Sequence, residues 1–171
     1  MDNYIQQLIE KLGLEPLVGE GGLYRQTYCS VETLQPGQLP VRYKTVHPVG
    51  TVIYYLLTDD ADSYSMLHRL PTDEIYHFYL GDPVKMLLLH PDGRAEEVIL
   101  GQDILNGQQV QFVAPAHAWQ GSRLKPGGRF ALLGTTMAPG YIQEDFEGGR
   151  RADLLAQYPG AAAQIERLCR E

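Results

Sequence analysis

The spacing of apolar residues changes twice along the chain, and each change predicts a different kind of element. Near the start, Ile5, Leu8, Ile9 and Leu12 recur at i, i+3, i+4 and i+7, the spacing of one face of a helix. Gly13 supplies a stop and Pro16 blocks continuation, so a short helix is expected over residues 2–12. From residue 23 to about 138 the period shortens to that of strands. Strands are expected at 23–29, 52–57, 64–70, 74–80, 85–90, 96–100, 110–114, 119–124 and 130–137. The turns between them carry Gly81-Asp82-Pro83, Pro91-Asp92-Gly93, Asn106-Gly107 and Pro126-Gly127-Gly128. Short strands with turn residues this often predict a sandwich or barrel. After Pro139-Gly140 the helical period returns, over 152–157 and 161–169, with Pro159 between them. Residues 34–40, with two Pro and a Gly, read as a surface loop. No internal repeat, low-complexity tract or linker divides the chain, so residues 1–171 are expected to form one domain.

Composition sharpens this picture. Eighteen Gly and eleven Pro among 171 residues argue against a helix bundle, and eleven Tyr favour strands. A hydrophobic fraction of 44% is too high for a disordered chain. The formal charge of −7, with no basic stripe, excludes nucleic acid as an expected partner. The longest apolar run, residues 52–57, falls far short of the ~20 residues that span a bilayer. The first residues lack a basic segment followed by an apolar one, so no secretory signal is expected. Cys29 and Cys169 form no spaced cluster. A cytoplasmic setting is the expectation.

The densest polar constellation runs from Ser65 to Gly81, while His47 and His90 read as loop and exposed-turn residues. Alternation places Tyr64, Met66, His68 and Leu70 on one face, and Glu74, Tyr76, Phe78 and Leu80 on one face of the next strand. A hairpin through Pro71-Thr72-Asp73 would bring His68 near Glu74, as a metal half-site or an acid–base pair requires. The alternative is a surface hairpin with ordinary polar residues.

His68, five residues, Glu74, six residues, Gly81: this spacing resembles the first motif of the cupin superfamily, with Met66 where a first His would stand. Pro115-Ala116-His117-Ala118-Trp119-Gln120 resembles the second motif, with His117 in the Gly position and Gln120 in that of the last His. Further phrases resemble one branch, the cupin_5 family: Gly21-Gly22-Leu23-Tyr24-Arg25-Gln26-Thr27-Tyr28, Ile53-Tyr54-Tyr55-Leu56-Leu57, Asp73-Glu74-Ile75-Tyr76-His77-Phe78-Tyr79-Leu80-Gly81-Asp82-Pro83, and Ala138-Pro139-Gly140-Tyr141 with Glu144-Asp145-Phe146-Glu147. Tyr76 stands where the family usually has Trp, and Val18-Gly19-Glu20 where it usually has His-Pro-Glu. The resemblance implies an all-β fold, a double-stranded β-helix or jelly-roll barrel over about 19–147, with the short N-terminal helix and a helical extension at 150–171. It also implies a homodimer.

Three uses of the site follow. A divalent metal would take His68, Glu74 and Gln120, because the Met66 thioether is a poor ligand for Mn, Fe or Zn and alternation puts His77 on the opposite face. The direction of His117, in a turn, is left open by alternation. A metal-free isomerase or epimerase acting on a sugar-like substrate would use His68 or His77 with Tyr76, or with Tyr24, Tyr54 or Tyr64, for proton transfer. Arg25 and Arg69 would then hold an anionic group. A binding module would use Met66, Tyr76, Phe78 and Trp119 as walls and His68, Glu74 and Gln120 as polar anchors. The expectation common to these is a small polar or anionic metabolite in the barrel, with Arg25, Tyr54, Met66, Glu74, Phe78, His117, Trp119 and Gln120 as ligand-binding candidates. Gly19-Glu20-Gly21-Gly22 lacks a following Lys-Ser/Thr and opens a strand, so it is not read as a nucleotide loop.

Overall fold

The computed structural model describes residues 3–169. The predicted helix start at Asp2 and the last two residues of the 150–171 extension lie outside them. The first helix, α1, is Asn3–Leu12. The strands of four or more residues are β1 (Leu23–Cys29), β2 (Thr51–Thr58), β3 (Ser65–Arg69), β4 (Glu74–Gly81), β5 (Val84–Leu89), β6 (Ala95–Leu100), β7 (Gln111–Ala114), β8 (Trp119–Leu124) and β9 (Phe130–Met137). Helices α2 (Arg151–Gln157) and α3 (Ala162–Leu168) follow. No helix among the described residues is long and apolar enough to cross a membrane.

The strands form two antiparallel sheets. One runs β1-β2-β9-β4-β7, with the short strand Glu15–Pro16 outside β1; the other runs β3-β8-β5-β6, with Glu147–Gly148 outside β3. The crossovers between sheets roll them into a jelly-roll barrel. Inside it lie Tyr55, Leu57, Tyr76, Phe78, Val84, Met86, Leu88 and Leu133. The opposite faces of the same strands are also covered. On one sheet α1 packs Ile5 against Leu56, Phe130 and Leu132. On the other, α2 and α3 pack Leu154, Ile165 and Leu168 against Leu67, Leu87, Leu89 and Trp119. Burial on both faces explains why β2 and β5 read as near-continuous apolar runs rather than alternating ones.

Two sequence expectations need correction. His47 is not an exposed loop residue: it lies in the short strand His47–Pro48, paired with Thr33–Leu34, and is fully buried. Its Nε2 meets Asp145 at 2.9 Å and its Nδ1 lies 2.9 Å from the Thr45 carbonyl. His90 is largely covered as well; Nε2 is 2.9 Å from Glu96, and the His90 carbonyl accepts from the Tyr158 hydroxyl.

Two local features position the site. Across β3 and β8, Gln120 pairs with His68 but Ser122 pairs with Ser65. The extra residue on β3 is a β-bulge, which resets the facing of the strand. Ahead of β1, the chain turns through Gly21-Gly22. Gly22 has φ +69°, and a Cβ there would meet the Tyr55 hydroxyl at 2.7 Å and its ring at 2.9–3.0 Å, so only glycine fits. The Tyr55 hydroxyl donates to the Gly21 carbonyl at 2.9 Å, and the Met66 N–H donates to the Glu20 carbonyl at 2.9 Å. These bonds carry Glu20 to the mouth of the barrel.

Candidate functional site

The barrel opens on a cavity of about 180 Å³, lined by Glu20, Tyr24, His68, Glu74, Tyr141 and Phe146 among others. That is below the ~300 Å³ at which drug-sized pockets begin, so only a small molecule fits. Alternation along each strand decides who faces it. Thr51 and Ile53 of β2, Glu74 of β4, and Thr135 and Met137 of β9 face in; the residues between them face out.

His68 is the centre of the polar floor. It is buried, and its Nδ1–H donates to the Met66 carbonyl at 2.7 Å. The Phe146 ring stacks on the imidazole at 5.2 Å. Nε2 then lies 3.9 Å from Glu74 and 4.0 Å from Glu20. Glu20 accepts from the Ser65 hydroxyl at 2.8 Å. Glu74 accepts from Gln120 Nε2 at 2.7 Å and from the Tyr76 hydroxyl at 3.2 Å.

The charges push these groups apart. Burial opposes protonation of His68, but Glu20 and Glu74 overcome it and hold the imidazole up to about 9. Burial raises Glu20 above the usual carboxylate range, with His68 pulling the other way. Burial also acts on Glu74, but hydrogen bonding and charge from His68, then Thr135 and Gln120, leave it lowered. Tyr76 is pushed well above its ordinary value by burial and by the two carboxylates, so its phenol stays protonated as a hydrogen-bond donor. Tyr141 is raised to about 12, by burial first and then by Glu20 and Glu74.

Gln120 sits where two demands conflict. Its Nε2 is 3.3 Å from His68 Nε2, which suits a neutral ring accepting a proton. The flanking carboxylates favour the charged ring, whose N–H would then face another N–H. Gln120 Oε1 is buried and has no hydrogen-bond partner, an arrangement that normally costs stability.

Of the residues singled out in the sequence, His68, Glu74 and Gln120 come together, with Tyr76 bonded to Glu74. The others lie elsewhere. Phe78 is in the barrel interior. Met66 is turned away by the bulge, its methyl beside Gly148. Arg25 is exposed on the outside, near Gly13. Tyr54 packs under α1 and Tyr64 under the C-terminal helices. His77 faces outward, as alternation requires; its Nε2 lies 3.0 Å from the Thr136 hydroxyl and its ring stacks on Tyr79. His117 is exposed, and Trp119 lies beneath the Arg69 guanidinium at 4.5 Å, outside the barrel. Sequence reasoning missed Glu20, Tyr141 and Phe146 as site residues. All three fall in or beside the phrases that carry the family resemblance, which was their one available signal.

A metal shell of three imidazoles and a carboxylate does not fit these residues. The first His position, Met66, is turned away, and the last, Gln120, presents an amide nitrogen to His68 and Glu74. Among the described residues no group of three or more His, Cys, Asp and Glu is arranged to hold a metal ion.

Rolled antiparallel sheets closing on a small polar cavity define a jelly-roll barrel with a ligand-sized interior. The chain belongs to the Cupin_5 family of the cupin superfamily (DUF985), whose model matches residues 6–148. It is 32% identical to protein SO0799 from Shewanella oneidensis, whose X-ray structure matches over 99% of both chains at a TM-score of 0.85. An uncharacterized protein of Saccharomyces cerevisiae, YML079W, is 29% identical over 156 residues, covering 86% of this chain and 76% of the yeast protein. Oxalate decarboxylase from Bacillus subtilis, which has Mn(II) centres, is 12% identical with a TM-score of 0.51, over 91% of this chain and 37% of that one. That likeness is one of fold alone.

Proposed function

We propose that the protein binds a small, uncharged, hydroxyl- or carbonyl-bearing metabolite in the barrel cavity and exchanges a proton with it. The observation that supports this is a single buried imidazole between two carboxylates, at 3.9 and 4.0 Å, in a cavity with no lysine or arginine among the described residues of its lining. Two carboxylates already exceed the charge of one imidazolium. An anionic ligand would add to that excess in a poorly solvated space. The arginines expected to hold an anion, Arg25 and Arg69, lie outside the cavity. The ligand is therefore polar and neutral rather than anionic. The hydroxyls of Tyr24 and Tyr141 and the amides of Gln26 and Gln143 line the same space and suit hydroxyl groups.

The two carboxylates have different roles. Opposite displacement of neighbouring groups is how acid–base assignments divide. Glu74, held low, remains charged and fixes the imidazolium. Glu20, raised and at the cavity edge, with a side chain 18% exposed, is the group placed to take a proton from a carbon or hydroxyl of the ligand. His68 is placed to return one to a neighbouring oxygen. That pairing is the chemistry of an isomerase.

The test has two parts. Native mass spectrometry of the purified protein reads whatever small molecule accompanies it, and elemental analysis reads metal. Thermal-shift titrations with ribose and with ribonate then compare a neutral and an anionic ligand of one size, and NMR in D₂O follows exchange at the carbon beside the carbonyl. A neutral companion, a shift with ribose alone, and exchange lost in Glu20→Gln and His68→Gln are expected. An anionic companion, or a shift with ribonate alone, would overturn the neutral-ligand reading. Stoichiometric metal lost in His68→Ala would replace proton transfer with a metal-dependent site.

A further inference from the structure

A second concave surface lies outside the barrel, with a volume of about 550 Å³, within the range of small-molecule sites. Its lining shares only Leu70 with the barrel cavity. Trp119, Tyr158 and prolines 71 and 91 give it an apolar wall, and Arg42, Lys44 and His117 give it basic groups.

Most acidic groups here are already engaged. Glu147 holds Arg69 in a two-pronged ion pair at 2.7 and 2.9 Å, and Asp145 holds His47. Glu144 is the remaining carboxylate of the lining. Arg42 uses Nε to donate to the Pro71 carbonyl at 2.9 Å and lies over the Tyr43 ring at 4.7 Å, which fixes the guanidinium; among the described residues its other N–H groups make no hydrogen bond. Among the described residues, neither Arg42, Lys44 nor His117 has a carboxylate within ion-pair distance. Arg42, Lys44 and Arg69 equal Glu144, Asp145 and Glu147 in number; with Glu147 and Asp145 engaged, Arg42 and Lys44 stand beside one uncommitted carboxylate, a basic spot in a chain of net charge −7.

His117 adds an independent observation. Among the described residues it is the one non-glycine residue with positive φ, at 68°. Its backbone N–H donates to the Leu70 carbonyl at 2.8 Å, so the turn itself is needed. The imidazole is exposed and makes no hydrogen bond among the described residues. Glycine would hold the same turn without strain. A strained backbone that holds out an unengaged side chain points to a ligand.

We propose that this groove is a second binding site, for a phosphorylated small molecule, with Arg42, Lys44 and His117 on the phosphate and the organic part against Trp119 and its stacked Arg69. Phosphate matches the fork of Arg42 and carries the charge that several basic groups require. The site is separate from the neutral-ligand cavity and does not depend on it.

Trp119 is the chain's one tryptophan, so its fluorescence reports on the groove. The probes are inorganic pyrophosphate and ribose 5-phosphate, against sodium chloride at equal ionic strength. A saturable fluorescence change is expected with either probe. Arg42→Gln should weaken binding about tenfold or more, the usual loss for a charged hydrogen bond. His117→Gly should weaken binding and raise the melting temperature. Glu20→Gln should leave groove binding unchanged, which separates it from the barrel site. No saturable change in the unmodified protein overturns the proposal, as does binding insensitive to Arg42→Gln and His117→Gly. Loss of binding in Glu20→Gln alone would move the phosphate to the barrel and likewise overturn it. A lower melting temperature in His117→Gly would remove the argument from strain.

Discussion

At His68 two forces of opposite sign meet. Burial favours the neutral ring, Glu20 and Glu74 favour the cation, and the carboxylates win, holding the pKa at about 9 against an ordinary 6.5. A ¹⁵N NMR titration of the imidazole is expected to show its midpoint near 9 in the native protein. Glu20→Gln removes one of the two flanking charges and should lower that midpoint toward 6.5. A native midpoint at or below 6.5 would sink the pairing. The same displacement bears on stability. The folded pKa lies above the unfolded one, so the contribution is complete below pH 6.5 and is lost as pH rises through about 9. Melting temperature should therefore fall across that interval in the native protein and fall less in His68→Gln, which has no ring to titrate.

At the scale of elements, the C-terminal helices act as a clamp on the β3–β8–β5 face rather than as part of the site. Ile165 of α3 is fully buried among Leu67, Leu87, Leu89 and Leu154. Ile165→Ala is expected to cost about 3 kcal/mol in urea unfolding, while ligand binding by the folded fraction stays unchanged. Weakened binding at saturating folded protein would show that the clamp shapes the cavity. These helices and the strands were legible in the sequence because period and turn residues are local signals. The site was legible only in part. His68 and Glu74 face inward as alternation predicts, yet the bulge on β3 defeats alternation for Met66. Glu20 arrives through bonds from Tyr55 and Met66, and His47 is buried by Asp145, 98 positions away. Pairings over such distances leave no periodic trace.

Across the whole molecule, the sheets are not closed at every side. Beyond Leu23 and Tyr24, which pair with the short strand Glu15–Pro16, the outer edge of β1 has no strand partner among the described residues. Tyr28 on that strand is 54% exposed. An open edge of this kind recruits a further strand, and we propose that a second copy of the chain supplies it. Light scattering should then give twice the 19.1 kDa chain mass, and a charge placed on the exposed edge strand by Tyr28→Lys should shift the mass toward the monomer. A native protein at the single-chain mass would exclude this pairing.

The Tyr55 hydroxyl gives the molecule a lever. Its ring belongs to the packed interior and its oxygen holds the turn that carries Glu20. Tyr55→Phe keeps the volume of the core and releases that tether. Its melting temperature should change little, while turnover or ligand affinity falls as Glu20 swings out of register with His68. The phenotype would map as that of an active-site residue although Tyr55 is not itself part of the cavity lining. Inheritance of function in this fold would then be constrained from within the hydrophobic core, and a survey of activity-destroying substitutions would find some of them where no ligand ever reaches.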